Sequence, residues 1–306
     1  MSESLTPRRR AAAKRIAAGL ALAAFLALAA WAIVSESIAA VAPGDAAEGD
    51  GAWRLDPLWD DGRAEVCAYR VTWPRYGAPR QGSALLVLVK EPWAPELDVK
   101  ADAPRDDGFE VLKLNHVRDV RTGIYEYHQM ASVFLDRRRG SLVKMATTSS
   151  EACGITTAEL VDGRLATHSY FDGQGSREED YPGGLPEDGL PALLRELVGG
   201  EAPEAVEVFP SLLSPRLPEL APERWRLARR EVEAAGEGGR PVAAVELRLE
   251  RGDDWRRYVF AREAPHPLLA YAAADGTRYE LARCERLAYW EANRPGDEEW
   301  LPPELR

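Results

Sequence analysis

The residue best placed to do covalent chemistry is Cys153, in the stretch TTSSEACGITTAEL (147–160). A nucleophilic cysteine needs a base within reach and a group to orient that base. The histidines available are His116, His128, His168 and His266. His168 is nearest along the chain, and the Asp162-Gly163 pair between them is a hairpin signal that could bring Cys153 and His168 together across paired strands. The competing reading is structural. TTSS and ITTAELV are β-prone, and cysteine is among the most buried residue types. On that reading, which the flanking residues favour, Cys153 is a buried thiol or a disulfide partner. Other chemistries have less to stand on. Ser149 and Ser150 sit in no G-x-S-x-G elbow. The histidines show no H-x-H or H-E-x-x-H spacing, so no metal site is expected. No glycine-rich phosphate cradle follows a strand, and no cofactor is implied. The acidic runs 178–180 and 297–299 read as solvated loops.

Aromatic side chains offer binding rather than catalysis. Tyr125 and Tyr127 fall on one face of a strand, and Trp73, Tyr76 and Trp93 flank strand ends. They either pack an ordinary sheet or line a concavity that receives an acyl chain or hydrophobic peptide. Tyr125, Tyr127 and Trp73 are therefore the ligand-binding candidates.

Charge gives the chain an address. Residues 1–42 hold five of the 39 basic side chains and two of the 50 acidic ones, which leaves the remainder at a net of −14. So acidic a body is repelled by phosphate backbones, which excludes nucleic acid as a partner. Ile16–Val34 is a run of 19 residues without charge or proline, long enough to cross a bilayer. The basic cluster before it keeps the N-terminus cytoplasmic and exports the rest. The run serves as an inner-membrane anchor or, alternatively, as a signal peptide cleaved near Ala42, with Pro43 opposing cleavage there. The expected location is the bacterial envelope, with the body in the periplasm. Cys67, Cys153 and Cys284 all lie in the exported part, where one disulfide can form and one thiol is left over; spacing does not rank the three pairings.

The elements that must position these residues are mainly strands. Residues 43–52 read as a linker and 53–182 as a β region, with alternation in Glu65–Trp73, Glu110–His116, Gly123–Leu135 and Leu142–Thr148. Ala84–Val89 is a continuous apolar run, suited to a strand covered on both faces. Residues 183–222 hold one helix, Leu190–Val198, and a Pro-rich connection. A second meander fills 223–292, and 293–306 is a peripheral tail. The expected fold is mainly β, one or two curled, half-barrel-like antiparallel sheets of roughly ten to twelve strands with one or two covering helices.

Three phrases carry a resemblance: WDDGRAEVCAYRVTWPRYGAPRQGSALLVLVKEPW, LKLNHVRDVRTGIYEYHQMASVF and KMATTSSEACG. Over about 59–172 the chain resembles a family of uncharacterised bacterial exported proteins, sometimes labelled "septum formation inhibitor Maf". True Maf pyrophosphatases carry Ser-x-Ser-Pro-Arg-Arg near the N-terminus. Here the nearest match, Ser214-Pro215-Arg216 in LLSPRLPEL, lies deep in the chain between prolines. The C-terminal run looks like the curved sheets of LolA-like lipoprotein carriers in rhythm. The resemblance implies export and a β fold and brings no catalytic residues with it. The expected function is a non-enzymatic envelope protein that binds a hydrophobic ligand, a lipid or an envelope partner. The alternatives are an envelope enzyme using Cys153 with a histidine and a structural module of an envelope complex.

A reporter enzyme fused after Arg306 is expected to be active only outside the cytoplasm. Activity of a fusion that works solely in the cytoplasm would remove the envelope assignment.

Overall fold

The computed structural model describes residues 52–305. The apolar run 16–34 and nearly all of the expected linker lie outside them. Among the described residues no helix is long and apolar enough to cross a membrane.

Sustained period-two alternation produces long antiparallel strands. In the first half these are β1 (Ala64–Arg75), β2 (Ala78–Ala94), β3 (Val99–Lys100), β4 (Phe109–Thr122), β5 (Tyr125–Asp136), β6 (Leu142–Glu151), β7 (Gly154–Val161), β8 (Arg164–His168) and β9 (Ser176–Asp180). In the second half they are β10 (Leu185–Pro186), β11 (Ala205–Phe209), β12 (Glu223–Ala235), β13 (Pro241–Arg251), β14 (Asp254–Ala261), β15 (Leu268–Ala273) and β16 (Arg278–Leu287). All belong to one sheet, so the two predicted β regions are continuous. Its order is β10 through β16, then β1, β2 and β4 through β9, with β3 on β2. The sixteen strands exceed the ten to twelve expected from pattern. Two of the extra ones are short: β9 overlaps the acidic run read as a solvated loop, and β11, within the Pro-rich connection, alternates only over Val206, Glu207 and Val208. Their neighbours' free backbone groups recruit them.

The two ends of this order, β9 and β10, are consecutive in the chain. Five peptide steps from Asp180 to Leu185 reach at most about 17 Å. The sheet must therefore curl until its edges nearly meet. The inner face is apolar: Tyr69, Leu86, Leu114, Val133, Leu247 and Phe260, among others, form one buried cluster.

The predicted helix exists as a mixed segment, 3-10 turns at Glu187–Gly189 and Leu194–Leu197 flanking helix α2 (Leu190–Leu193). Leu190, Leu193, Leu194 and Val198 are all buried. A helix apolar all round belongs in an interior, so this segment fills the curl rather than covering its outer face. Its charged residues are Glu187, Asp188, Arg195 and Glu196, and Arg195 is the basic one. Arg195 is buried and forms a forked ion pair with buried Glu65 of β1, Nη2 to Oε1 at 2.7 Å and Nη1 to Oε2 at 3.2 Å. It also donates to the Pro191 and Pro265 carbonyls at 3.2 and 2.9 Å. At the same end, helix α1 (Ala52–Leu55) and the turn Pro57–Asp60 bury Trp53 and Trp59 in the core. Arg54 there pairs with Glu196.

The outer face has one apolar patch, Ala64, Val66, Val87 and Val89, and Leu287, Tyr289 and Trp300 pack on it. That contact explains why ALLVLV is apolar on both sides, and it gives the peripheral tail a structural task. Cys67 and Cys284 are opposed in the β1–β16 pairing and disulfide-bonded across it. The bond joins positions 217 residues apart, worth about 5 kcal/mol on a chain-entropy argument.

Arg195→Met strands the Glu65 carboxylate in the core. The expected loss is about 3–5 kcal/mol, read as a shift in denaturant midpoint with unchanged slope. A parent-like midpoint would mean the pair is not what seats the inner segment.

Candidate functional site

Cys153 does not meet its predicted base. It is exposed and unpaired, in the turn between β6 and β7. The expectation of a buried or disulfide-bonded Cys153 is thereby corrected: β6 ends at Glu151, before the cysteine, so the pleat that buries Thr147 and Ser149 does not extend to it. His168 opposes Thr157 in β7, four residues short of Cys153, or about 13 Å along the strand. Its Nδ1 lies 3.1 Å from Ser176 Oγ instead. Gly154 is needed for a reason that the sequence hides: a Cβ there would fall 2.5 Å from Tyr170 Cγ.

The aromatic candidates do come together. Trp73 and Tyr127 pack edge to face with centroids 5.1 Å apart, and Tyr125 lies 5.9 Å from Tyr127. Tyr127 is fully buried, and its hydroxyl meets Tyr76 at 2.7 Å and accepts from Arg75 at 3.1 Å. Burial pushes the Tyr127 phenol well above the ordinary value. This is a filled cluster rather than an open groove. Tyr125 and Tyr127 are wall packing, and of the three only Trp73 reaches the adjoining cavity.

That cavity, of about 340 Å³, lies inside the curl. Its wall comes from both halves of the sheet: Trp73, Leu86, His116 and Arg118 on one side, Tyr258, Leu268, Tyr271 and Tyr279 on the other. Glu187, Asp188 and Pro191, at the start of the inner segment, also line it. Arg256, Asp275 and Thr277 line it too, and the rest of its wall is the segment 210–218, whose prolines keep it out of any strand. The wall satisfies that segment's backbone with side chains. Gln129 Nε2 donates to Leu213 O at 2.8 Å, Thr156 Oγ1 to Pro215 O at 2.5 Å, and Gln174 Nε2 to Leu217 O at 2.7 Å. Asp188 accepts from Ser211 Oγ at 2.5 Å and from Leu212 N at 2.8 Å. LLSPRLPEL, set aside on motif grounds, is thus a strap along the cavity.

His116 Nε2 is 3.0 Å from Tyr279 Oη, and Arg118 Nη1 donates to the same oxygen at 3.4 Å. Burial drives the His116 pKa down to about 3, so the ring is neutral and shares one hydrogen bond with the tyrosine hydroxyl. Arg118 Nε donates to Gln129 Oε1 at 2.8 Å, Nη2 donates to the same atom, and the guanidinium stacks on Trp73 at 4.7 Å. Tyr258, Tyr271 and Tyr279 form a row, with centroid spacings of 4.9 and 5.5 Å. The hydroxyls of Tyr258 and Tyr271 meet no protein hydrogen-bond partner among the described residues. Pattern reading could have found part of this site. His116 and Arg118 continue the parity of Leu112 and Leu114, so both point inward. The tyrosine row had no comparable signal.

The cysteine–glutamate group Glu65, Cys67 and Cys284 has the proximity of a metal site, but both sulfurs are in the disulfide and the carboxylate is held by Arg195. It offers no ligand set.

No family model and no curated protein matches this chain. Among solved structures it is similar to the beta-barrel-like protein of domain of unknown function DUF1849 from Brucella abortus. That match has 11% sequence identity and a TM-score of 0.42, and spans 74% of this chain and 98% of the other. At this level no site residue transfers.

Burial raises the Asp188 pKa from 3.8 to about 6, against the opposing pull of its Ser211 and Leu212 hydrogen bonds. A carboxyl raised in the folded state binds its proton more tightly there than in the unfolded chain. Its contribution to stability is present at about pH 4 and is lost as pH rises through 6. Asp188→Asn removes that loss. The variant is expected to gain on the parent by up to about 3 kcal/mol between pH 4 and 7, measured by urea denaturation across that range. A difference independent of pH would show that Asp188 does not titrate there.

Proposed function

We propose that this chain is an exported, non-enzymatic binding protein of the bacterial envelope, and that the interior cavity beside the 210–218 strap receives a small, largely apolar ligand. The observation that carries the reading is the concave wall, in which Trp73, Leu86, Leu268 and three tyrosines supply apolar surface. The free hydroxyls of Tyr258 and Tyr271 supply polar handles. The rest of the lining is polar or charged, with Arg118, Glu187, Asp188, Arg216, Arg256 and Asp275 among it, so the cavity offers an aromatic and aliphatic wall beside a polar one. The exposed thiol of Cys153 stands outside it, and the Ser211 and Ser214 hydroxyls both donate to protein acceptors.

Export rests on the charge asymmetry about Ile16–Val34 and is favoured by the Cys67–Cys284 disulfide, since such bonds persist in oxidising compartments. The resemblance of residues 59–172 to a family of exported proteins fits the same location. A cavity of this size suits a small molecule or one short chain better than an intact two-chain lipid, which narrows the lipid reading.

The full chain, purified in mild detergent, is expected to bind the neutral apolar probe N-phenyl-1-naphthylamine saturably, with one site per chain. Ser214→Trp, which places an indole at the strap, is expected to lower that binding several-fold without lowering the melting temperature. Absence of saturable binding in the parent would sink the proposal.

A further inference from the structure

The cavity holds an arginine with no carboxylate in contact among the described residues. Most of its charges are accounted for inside the protein. Arg256 pairs with Glu187 at 2.9 Å and also with Asp254. Asp188 accepts from Ser211 and Leu212, and Asp275 accepts from the Thr277 amide at 2.8 Å and hydroxyl at 2.9 Å. Arg118 is different. Its acceptors are Gln129 and Tyr279, both neutral, and no carboxylate among the described residues pairs with it. Gln129 occupies the Nε–Nη2 edge, where a glutamate of the same length would have neutralised the charge. Of the five guanidinium N–H groups, three are engaged and two are left. Stacking on Trp73 offsets the burial of a cation in part. A second arginine, Arg216 of the strap, also lines the cavity, stacks on Phe171 at 4.4 Å and meets no carboxylate among the described residues. Asp188 and Asp275 line the same cavity and Asp188 feels the Arg118 charge through space, but neither carboxylate forms an ion pair with either arginine.

Resting on the cavity reading above, we propose that the ligand is a small monocarboxylate with an apolar body, its carboxylate held by the remaining N–H groups of Arg118 and its body against the row Tyr258, Tyr271 and Tyr279. A carboxylate presents two oxygens in a plane that matches a guanidinium edge. A phosphate monoester would bring more charge and more acceptors than one half-engaged arginine can answer. Arg216 at the strap supplies the field that draws an anion toward an otherwise acidic protein.

The test uses 3-phenylpropionate, 3-phenylpropanol and 3-phenylpropyl phosphate, which share one body and differ in the head. Calorimetric titration of the full chain in mild detergent is expected to give the acid at least tenfold tighter than the alcohol, and tighter than the phosphate. In Arg118→Gln the acid and alcohol are expected to bind alike. Arg118→Lys, which keeps the charge and loses the fork, should retain part of the preference. Equal binding of acid and alcohol to the parent would overturn the carboxylate assignment and leave the cavity reading standing. Preference for the phosphate would overturn it in favour of that head group. A parent that binds none of the three and also fails to take up the naphthylamine probe would bring down both readings. The comparison within the parent decides the proposal even if the arginine variants fail to fold.

Discussion

The Glu65–Arg195 pair is the constraint on which the interior is built. Both groups are withdrawn from water, which is costly unless geometry and further hydrogen bonds compensate. Here the fork is bidentate, and the Pro191 and Pro265 carbonyls take up other guanidinium hydrogens. Because Glu65 is on β1 and Pro265 precedes β15, the pair ties the inner segment to strands from both halves of the sheet. That fixes how far the segment enters the curl, and hence where the cavity beside Glu187, Asp188 and Pro191 begins.

The curl follows from connectivity as much as from twist. The chain lays down β1 to β9 outward from the centre, crosses in four residues to the far edge, and returns through β10 to β16 until last meets first. The Cys67–Cys284 bond clamps that meeting point. The open seam lies at β9, whose residues are all exposed and mostly charged, with Arg164 answering Glu178 and Asp180. Charges along an edge strand discourage pairing with another chain. The acidic run thus has a role at an edge, in place of the solvated loop that its composition suggests.

The strap obeys a different rule. A segment with three prolines between 210 and 218 cannot join a ladder, yet buried backbone carbonyls need donors. Gln129, Thr156 and Gln174 provide them from three separate strands or loops, while Asp188 receives the Leu212 amide and Gln174 Oε1 that of Leu217. Gln129 serves twice, holding the strap with its amide nitrogen and Arg118 with its oxygen. Strap and cation are therefore linked through one side chain, which places any event at Arg118 next to the segment that bounds the cavity.

By itself the sequence determined the fold class, the parity of the long strands and the Asp162-Gly163 and Asp275-Gly276 hairpins, because these depend on neighbours two or three residues apart. Leu112 and Leu114 point inward and Lys113 outward as alternation requires, and LPALLRELV is helical. Only the tertiary structure decided which cysteines pair, since Cys67 and Cys284 become neighbours through the closure of the last strand on the first. It likewise exposed Cys153, converted Tyr125 and Tyr127 from a groove into packing, and gathered Arg118, Asp188 and the tyrosines of β14 to β16 around one cavity. Those residues lie up to 163 positions apart in the His116–Tyr279 contact. No local period encodes a meeting at that separation; it exists only once the sheet has curled and the inner segment is seated against Glu65.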